Sequence, residues 1–308
     1  MDLAKLVEQD GGVILSRYPE RQNHIYIVGQ LHERPQHGVD SLSVLPAEIE
    51  ELDRAQFQLF RISRSIIDNC RVNLVLEEGV YRNEDREEHY REVRDLDAKL
   101  ANKYGIESPN LIGNDDQLKK MIGLTHDALL LLVTTYSSLI VKGAEDEILS
   151  KASDVAVGLL QHIKNTFDSI PEETITYVVP RLFRLSSQIN RKRSAKLLQN
   201  IPDIIEQEYN KGRIATKSAL VHYGDAHLHE LREFLEDGKI EIPGENGPFY
   251  ELCQLLGFRP FFYDSSSMRA QLDLYKRGFG VSLIKLNSIG EEIKDPFKNA
   301  LEYLETRR

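Results

Sequence analysis

Two cysteines in 308 residues, Cys70 and Cys253, are too few for a disulfide-stapled scaffold. Neither stands in a Cys-x-x-Cys pair, so a reducing compartment is the simpler expectation. Positive charge is also short: 39 Lys and Arg face 49 Asp and Glu, a net of −10. That balance argues against an extended nucleic-acid footprint and leaves the basic cluster Arg191-Lys192-Arg193 in need of a local explanation. The first ten residues carry acids and lack an apolar core of signal-peptide length, so a cytoplasmic protein is expected. Long hydrophobic runs are scarce. The nearest is Leu124 to Val141, which contains Thr134, Thr135, Ser137 and Ser138 and reads as a buried helix rather than a membrane span. Repeats of solenoid period and low-complexity linkers are absent as well. What remains, 41% hydrophobic and 29% charged residues, is the composition of a globular chain with a substantial core.

Two stretches organise that chain. His24-Ile25-Tyr26-Ile27-Val28-Gly29-Gln30-Leu31-His32-Glu33 and Ala219-Leu220-Val221-His222-Tyr223-Gly224-Asp225-Ala226-His227 are both apolar runs that stop at a glycine and deliver a histidine three positions later. Each reads as a strand followed by a tight turn, with glycine supplying a positive φ or a close backbone approach. Val72 to Leu76 is a third strand, running into Glu77-Glu78-Gly79. Ser108 to Asp116 looks like a fourth, ending at Gly113 and Asp115. Gly11 to Arg17 is expected to pair with the first Gly-x-x-His strand as an edge hairpin, and Phe258 to Tyr263 and Gly280 to Leu286 to be late strands.

Between the strands, apolar residues from Pro46 to Asn69 recur at helical spacing. Residues 82–102 read as a solvated, charge-rich helix. Ile148 to Ile170 is an amphipathic helix, and Thr174 to Tyr209 a helical stretch broken at Pro202 and ended by Gly212. The expectation is one α/β domain over 1–308: a mixed, mostly parallel central sheet flanked by helices, with a helical insertion at about 118–212.

His32, His227, Glu77 or Glu78, and Asp115 give two imidazoles with one or two carboxylates at strand ends. Such a nitrogen and oxygen set suits a divalent transition metal (Mn, Co, Fe or Zn), which lowers the pKa of bound water. A histidine oriented by a carboxylate activates water without metal. Side chains alternate along a strand, so only one of Glu77 and Glu78 faces a given side, and Glu77, directly continuing the strand, is preferred. His222, inside its strand, reads as a satisfied core histidine. His229, Glu33 and Glu230 are supporting candidates only.

The four motifs Val28-Gly29-Gln30-Leu31-His32, Leu76-Glu77-Glu78-Gly79, Ile112-Gly113-Asn114-Asp115 and Tyr223-Gly224-Asp225-Ala226-His227, in that order, resemble the superfamily of the Tiki and TraB proteins, the erythromycin esterases and the haem-binding ChaN-like proteins. The resemblance spans roughly residues 20 to 235. It implies an α/β fold and a hydrolase of ester or peptide bonds acting on a small molecule or peptide. It also implies an arginine on the helix before the second Gly-x-x-His, where either Arg191 or Arg193 stands, as an anion-binding or charge-stabilising group. The alternative it brings is a non-catalytic protein holding haem, with Tyr26 or Tyr223 as further ligands beside histidine.

Overall fold

The computed structural model describes residues 3–18, 21–31, 46–82, 114–166, 169–245, 249–259 and 261–289. The loop after His32 and the charge-rich helix at 82–102 lie outside them, apart from Arg82, as does most of the strand expected at 108–116. The elements in chain order are α1 (Leu3–Gln9), β1 (Gly12–Tyr18), β2 (Asn23–Gln30), α2 (Pro46–Cys70), β3 (Leu74–Tyr81), α3 (Asp115–Thr125), α4 (Ala128–Thr135) and β4 (Ile140–Glu145). After these come α5 (Glu147–Thr166), α6 (Glu172–Asn210), β5 (Ala219–Gly224), α7 (Leu228–Asp237), β6 (Lys239–Ile242), α8 (Phe249–Leu255), β7 (Met268–Gln271) and β8 (Phe279–Leu286). This is the expected α/β class, with a mixed, mostly parallel sheet flanked by helices. No described helix is long and apolar enough to cross a membrane.

The chain divides into two compact units. The first (Met1–Ala144, Pro202–Leu228, Leu274–Glu291) holds a six-stranded sheet in the order β1-β8-β2-β5-β3-β4. β8, β2, β5 and β3 are parallel, and β1 runs antiparallel to β8. The expected hairpin of β1 with β2 therefore does not form, because β8 lies between them. β8 is buried at seven of its eight positions, as a strand covered on both faces must be, whereas β1 is largely half-exposed and suits an edge.

One face of the sheet is covered by α2. Its Leu59, Phe60, Ile62 and Ile66 join Val28, Val75, Leu220 and Ile284 in one core. Each such side chain contributes about 1.5–3 kcal/mol by burial.

Several expectations need correction. Leu124 to Val141 is not one helix: His126 takes a left-handed conformation (φ 54°) that closes α3, and Asp127 caps α4 by accepting a hydrogen bond from the Leu130 amide. Ile140 then opens β4, so the stretch 118–212 is not wholly helical. Nor does Asp115 end a strand. Asn114 accepts from the Gln117 amide and caps α3, with Asp115 and Asp116 in the first turn where the helix dipole favours acids. Pro202 leaves α6 unbroken, since Leu198, Ile201, Ile204 and Ile205 around it are all buried and packing outweighs the local penalty of about 3 kcal/mol. The helix ends as expected at Gly212, which has a positive φ of 69°. Phe258 to Tyr263 forms no strand among its described residues.

The second unit (Glu145–Ile201, His229–Asp273, Glu292–Arg308) packs α5 and α6 with α8 through Leu159, Leu182, Phe183, Leu185 and Phe249. An antiparallel pair, β6 with β7, completes its described strands.

At the start of β2, His24 is buried. Its Nε2 is 2.8 Å from Ser282 Oγ, and its amide donates to Ser218 Oγ. Burial, assisted by Arg17, holds its pKa down from 6.5 to about 4. The unfolded chain thus takes up a proton between pH 6.5 and 4 that the folded form refuses. The contribution of His24 to stability is complete above that window and is lost as pH falls through it. In urea unfolding at pH 7 and pH 4.5, the native chain should lose about 2 kcal/mol more than His24→Asn. Equal losses would contradict this account of His24.

Candidate functional site

Strand alternation separates the carboxyl ends of the sheet into two chemically distinct sides. The parallel ladder of β3 with β5 pairs Val75 with Leu220, Leu76 with Val221 and Glu77 with His222. Paired residues share a face, and successive residues do not. Glu77 therefore lies with His222 on the side covered by α2, and Glu78 lies on the other.

On the α2 side, the Glu77 carboxylate is held at both oxygens. Gln30 Nε2 donates to Oε1 at 2.8 Å, and His222 Nδ1 lies 3.0 Å from Oε2. His222 Nε2 is 2.9 Å from Ser63 Oγ. One proton arrangement satisfies the chain: Ser63 donates to Nε2, and Nδ1–H donates to the carboxylate. The order serine, histidine, carboxylate matches that of a nucleophilic triad, but Ser63 and His222 have no solvent exposure and Ser63 sits in the middle of α2. No substrate reaches such a hydroxyl. Nearby, Asp127, the cap of α4, has its pKa raised, chiefly by desolvation and further by repulsion from Glu77, against the Leu130 and Leu129 amides and His222.

On the opposite side, the Gly224 amide donates to Glu78 Oε2, and Glu78 Oε1 is 3.9 Å from His227 Nε2. His227 is buried and its ring packs on Tyr223, with centroids 4.7 Å apart. It lies on a single 3₁₀ turn, Asp225–His227, that follows β5 directly. Asp225 is nearly buried, and its Oδ2 stands 3.9 Å from Lys285 Nζ of β8. Desolvation raises the Asp225 pKa, and Lys285 opposes the shift.

Both motif glycines serve close approach. A Cβ on Gly29 would stand 2.6 Å from Asp225 Oδ1 and from Leu228 Cδ1. One on Gly224 would stand 2.9 Å from Glu78 Oε2 and 3.4 Å from His227 Cδ2. Gly224 has φ −50°, so left-handed backbone is not its reason. The first glycine admits the turn that carries the second histidine. The second admits the carboxylate that this histidine faces.

Of the residues singled out in the sequence, Glu78 and His227 come together, and Glu77 joins His222 instead. His32 and Glu33 lie outside the described residues. Asp115 is exposed and pairs with Arg61 at 3.4 Å. Arg191 and Arg193 belong to the second unit. There Arg191 makes a two-pronged pair with Glu233 (2.9 and 2.8 Å), and Arg193 meets the buried Glu145 at 2.5 Å. Glu230 accepts from Ser194 in that unit, and His229 is exposed. Among the described residues, no cluster of three or more His, Cys, Asp and Glu side chains is placed to hold a metal ion. Ser63, Gln30, Asp127 and Lys285 were not anticipated. Ser63 alone left a trace, a polar residue at core spacing between Phe60, Ile62 and Ile66.

The chain matches no family model, and no curated protein or solved structure is significantly similar to it.

Gly29→Ala should be the more damaging of the two glycine substitutions, because the Asp225 Cα itself lies 3.3 Å from the added carbon. Overpacking of this kind costs about 1–3 kcal/mol, which urea unfolding would register. Gly224→Ala should instead displace Glu78, a flexible side chain, and leave stability closer to that of the native chain.

Proposed function

We propose that the protein is a hydrolase of the Tiki/TraB and erythromycin-esterase type, cleaving an ester or peptide bond in a small-molecule or peptide substrate. The observation that carries this reading is the facing pair of His227 and Glu78 across 3.9 Å at the strand ends. At that separation both groups are within hydrogen-bond reach of one shared water. His227 takes a proton from the water as it attacks the acyl carbon, Glu78 stabilises the imidazolium that forms, and that proton passes to the departing alcohol or amine as the acyl bond breaks. The Gly224 amide fixes the second carboxylate oxygen, so Glu78 stays aimed while charge moves. His32, delivered by the first Gly-x-x-His, is assigned to the same site by the sequence echo.

The donor types also fit a divalent transition metal. His227 and Glu78 would hold it, with His32 as a third donor, and it would supply Lewis acidity and a lowered pKa for water. Asp115, Arg191 and Arg193 have carboxylate or guanidinium partners and are assigned no step.

Metal analysis of protein purified without chelator, with hydrolysis of an ester and peptide panel, tests the reading. His227→Ala, Glu78→Gln and His32→Ala should each lower turnover at least a hundredfold, about 2.7 kcal/mol of barrier. Asp115→Asn should leave it unchanged. Hydrolysis that survives both His227→Ala and Glu78→Gln, or a native protein inactive on every substrate with and without added Mn, Co, Fe or Zn, would sink the proposal.

A further inference from the structure

The two consecutive glutamates of β3 divide the work of the site. Glu78 is reactive in the reading above. Glu77, on the other face, has both carboxylate oxygens engaged by donors from two different strands, β2 and β5, and the β5 donor is braced in turn by α2. We propose that the buried chain Ser63–His222–Glu77–Gln30 is a positioning device that clamps β3 at Glu77 and so directs Glu78 onto the Gly224 amide and toward His227.

Three features of the fold support it. First, Glu77 and His222 are backbone partners in the ladder as well as hydrogen-bonded through their side chains. The clamp therefore secures β3 against β5 at the residue just before Glu78. Second, beyond that pair the Gly224 amide bonds the Glu78 side chain. The orientation of Glu78 then depends on how firmly the preceding residue is held. Third, Gly79 follows with φ 77° and nothing within 4 Å of an added Cβ, so no side chain of its own holds β3 in place just after Glu78. Turning β3 at Glu77 would strip His222 of its carboxylate in a place water does not reach, and this opposes the motion.

In this account Ser63, His222, Gln30 and Glu77 are positioning residues. The catalytic part of the inference rests on the hydrolase reading, but the geometric part does not, and the experiment separates them. In full-length protein labelled with ¹⁵N-glycine, the Gly224 amide proton should resonate far downfield because it donates to a carboxylate, and Glu78→Gln defines its position once that bond is weakened. Glu77→Gln and His222→Gln should each move it toward the Glu78→Gln position, and Ser63→Ala part of the way. Should His222→Gln fail to fold, Gln30→Met, which leaves the buried histidine both its partners, is expected to give the same shift. A Gly224 signal that stays at its native position in Glu77→Gln and Gln30→Met overturns the proposal.

Where the native protein hydrolyses a substrate, the same variants should lower kcat about ten- to a hundredfold with KM unchanged, since a displaced group loses reactivity before it loses binding. Shifts without any native hydrolysis would uphold the clamp and discard the hydrolase. Hydrolysis that depends on Glu78 while Gly224 ignores the clamp variants would do the reverse.

Discussion

A strand cannot point two neighbouring side chains the same way. That constraint turns Glu77-Glu78 from a repeated letter into two separate environments. On one side of the sheet a carboxylate is absorbed into a chain of buried polar groups. On the other a carboxylate faces an imidazole. Each glutamate meets its own histidine from β5, Glu77 meeting His222 within the strand and Glu78 meeting His227 one turn beyond it. The separation of five residues between the histidines carries the chain past the strand end and places the second on the other face.

The glycines of the two Gly-x-x-His motifs belong to the same geometry. Packing the 3₁₀ turn over Gly29 brings Asp225 and Leu228 into space that any larger residue at position 29 would fill. The two motifs are thus pressed together, and each glycine makes room for a group contributed by another element. A nearly buried Asp225, opposed by Lys285 at 3.9 Å, is part of the cost of that closeness.

Much of the architecture was legible in the sequence because local rules coincide with tertiary ones there. β2 and β5 are apolar runs ended by glycine, α2 shows its buried stripe at helical spacing, and Gly212 stops α6. The misreadings share a cause in long-range packing. Nothing near Tyr18 and Asn23 reveals that a strand from residue 279 onward will insert between β1 and β2. Pro202 looks like a break until the surrounding aliphatic residues are seen to be buried. At the site, the motifs offered Glu77 or Glu78 as the partner of His227, with Glu77 preferred, and only the ladder register assigns Glu78 to that side. That register is a property of β3 and β5 together and of neither alone. Ser63 and Gln30 were invisible for the same reason: a serine on a helix and a glutamine at a strand end carry no chemical signature until a histidine and a glutamate from elsewhere are placed against them.

The place of β8 in the sheet also bears on how the chain is made. Residues 279–286 occupy the position between strands that left the ribosome more than 250 residues earlier. Until β8 emerges, β1 lacks its partner and β2 presents an unpaired edge of buried-type residues, Ile25, Ile27 and Val28 among them. Such an edge invites pairing with other chains. Closure of the sheet is therefore a late and non-local event in synthesis, and the interval before it is when the nascent protein is most exposed to aggregation.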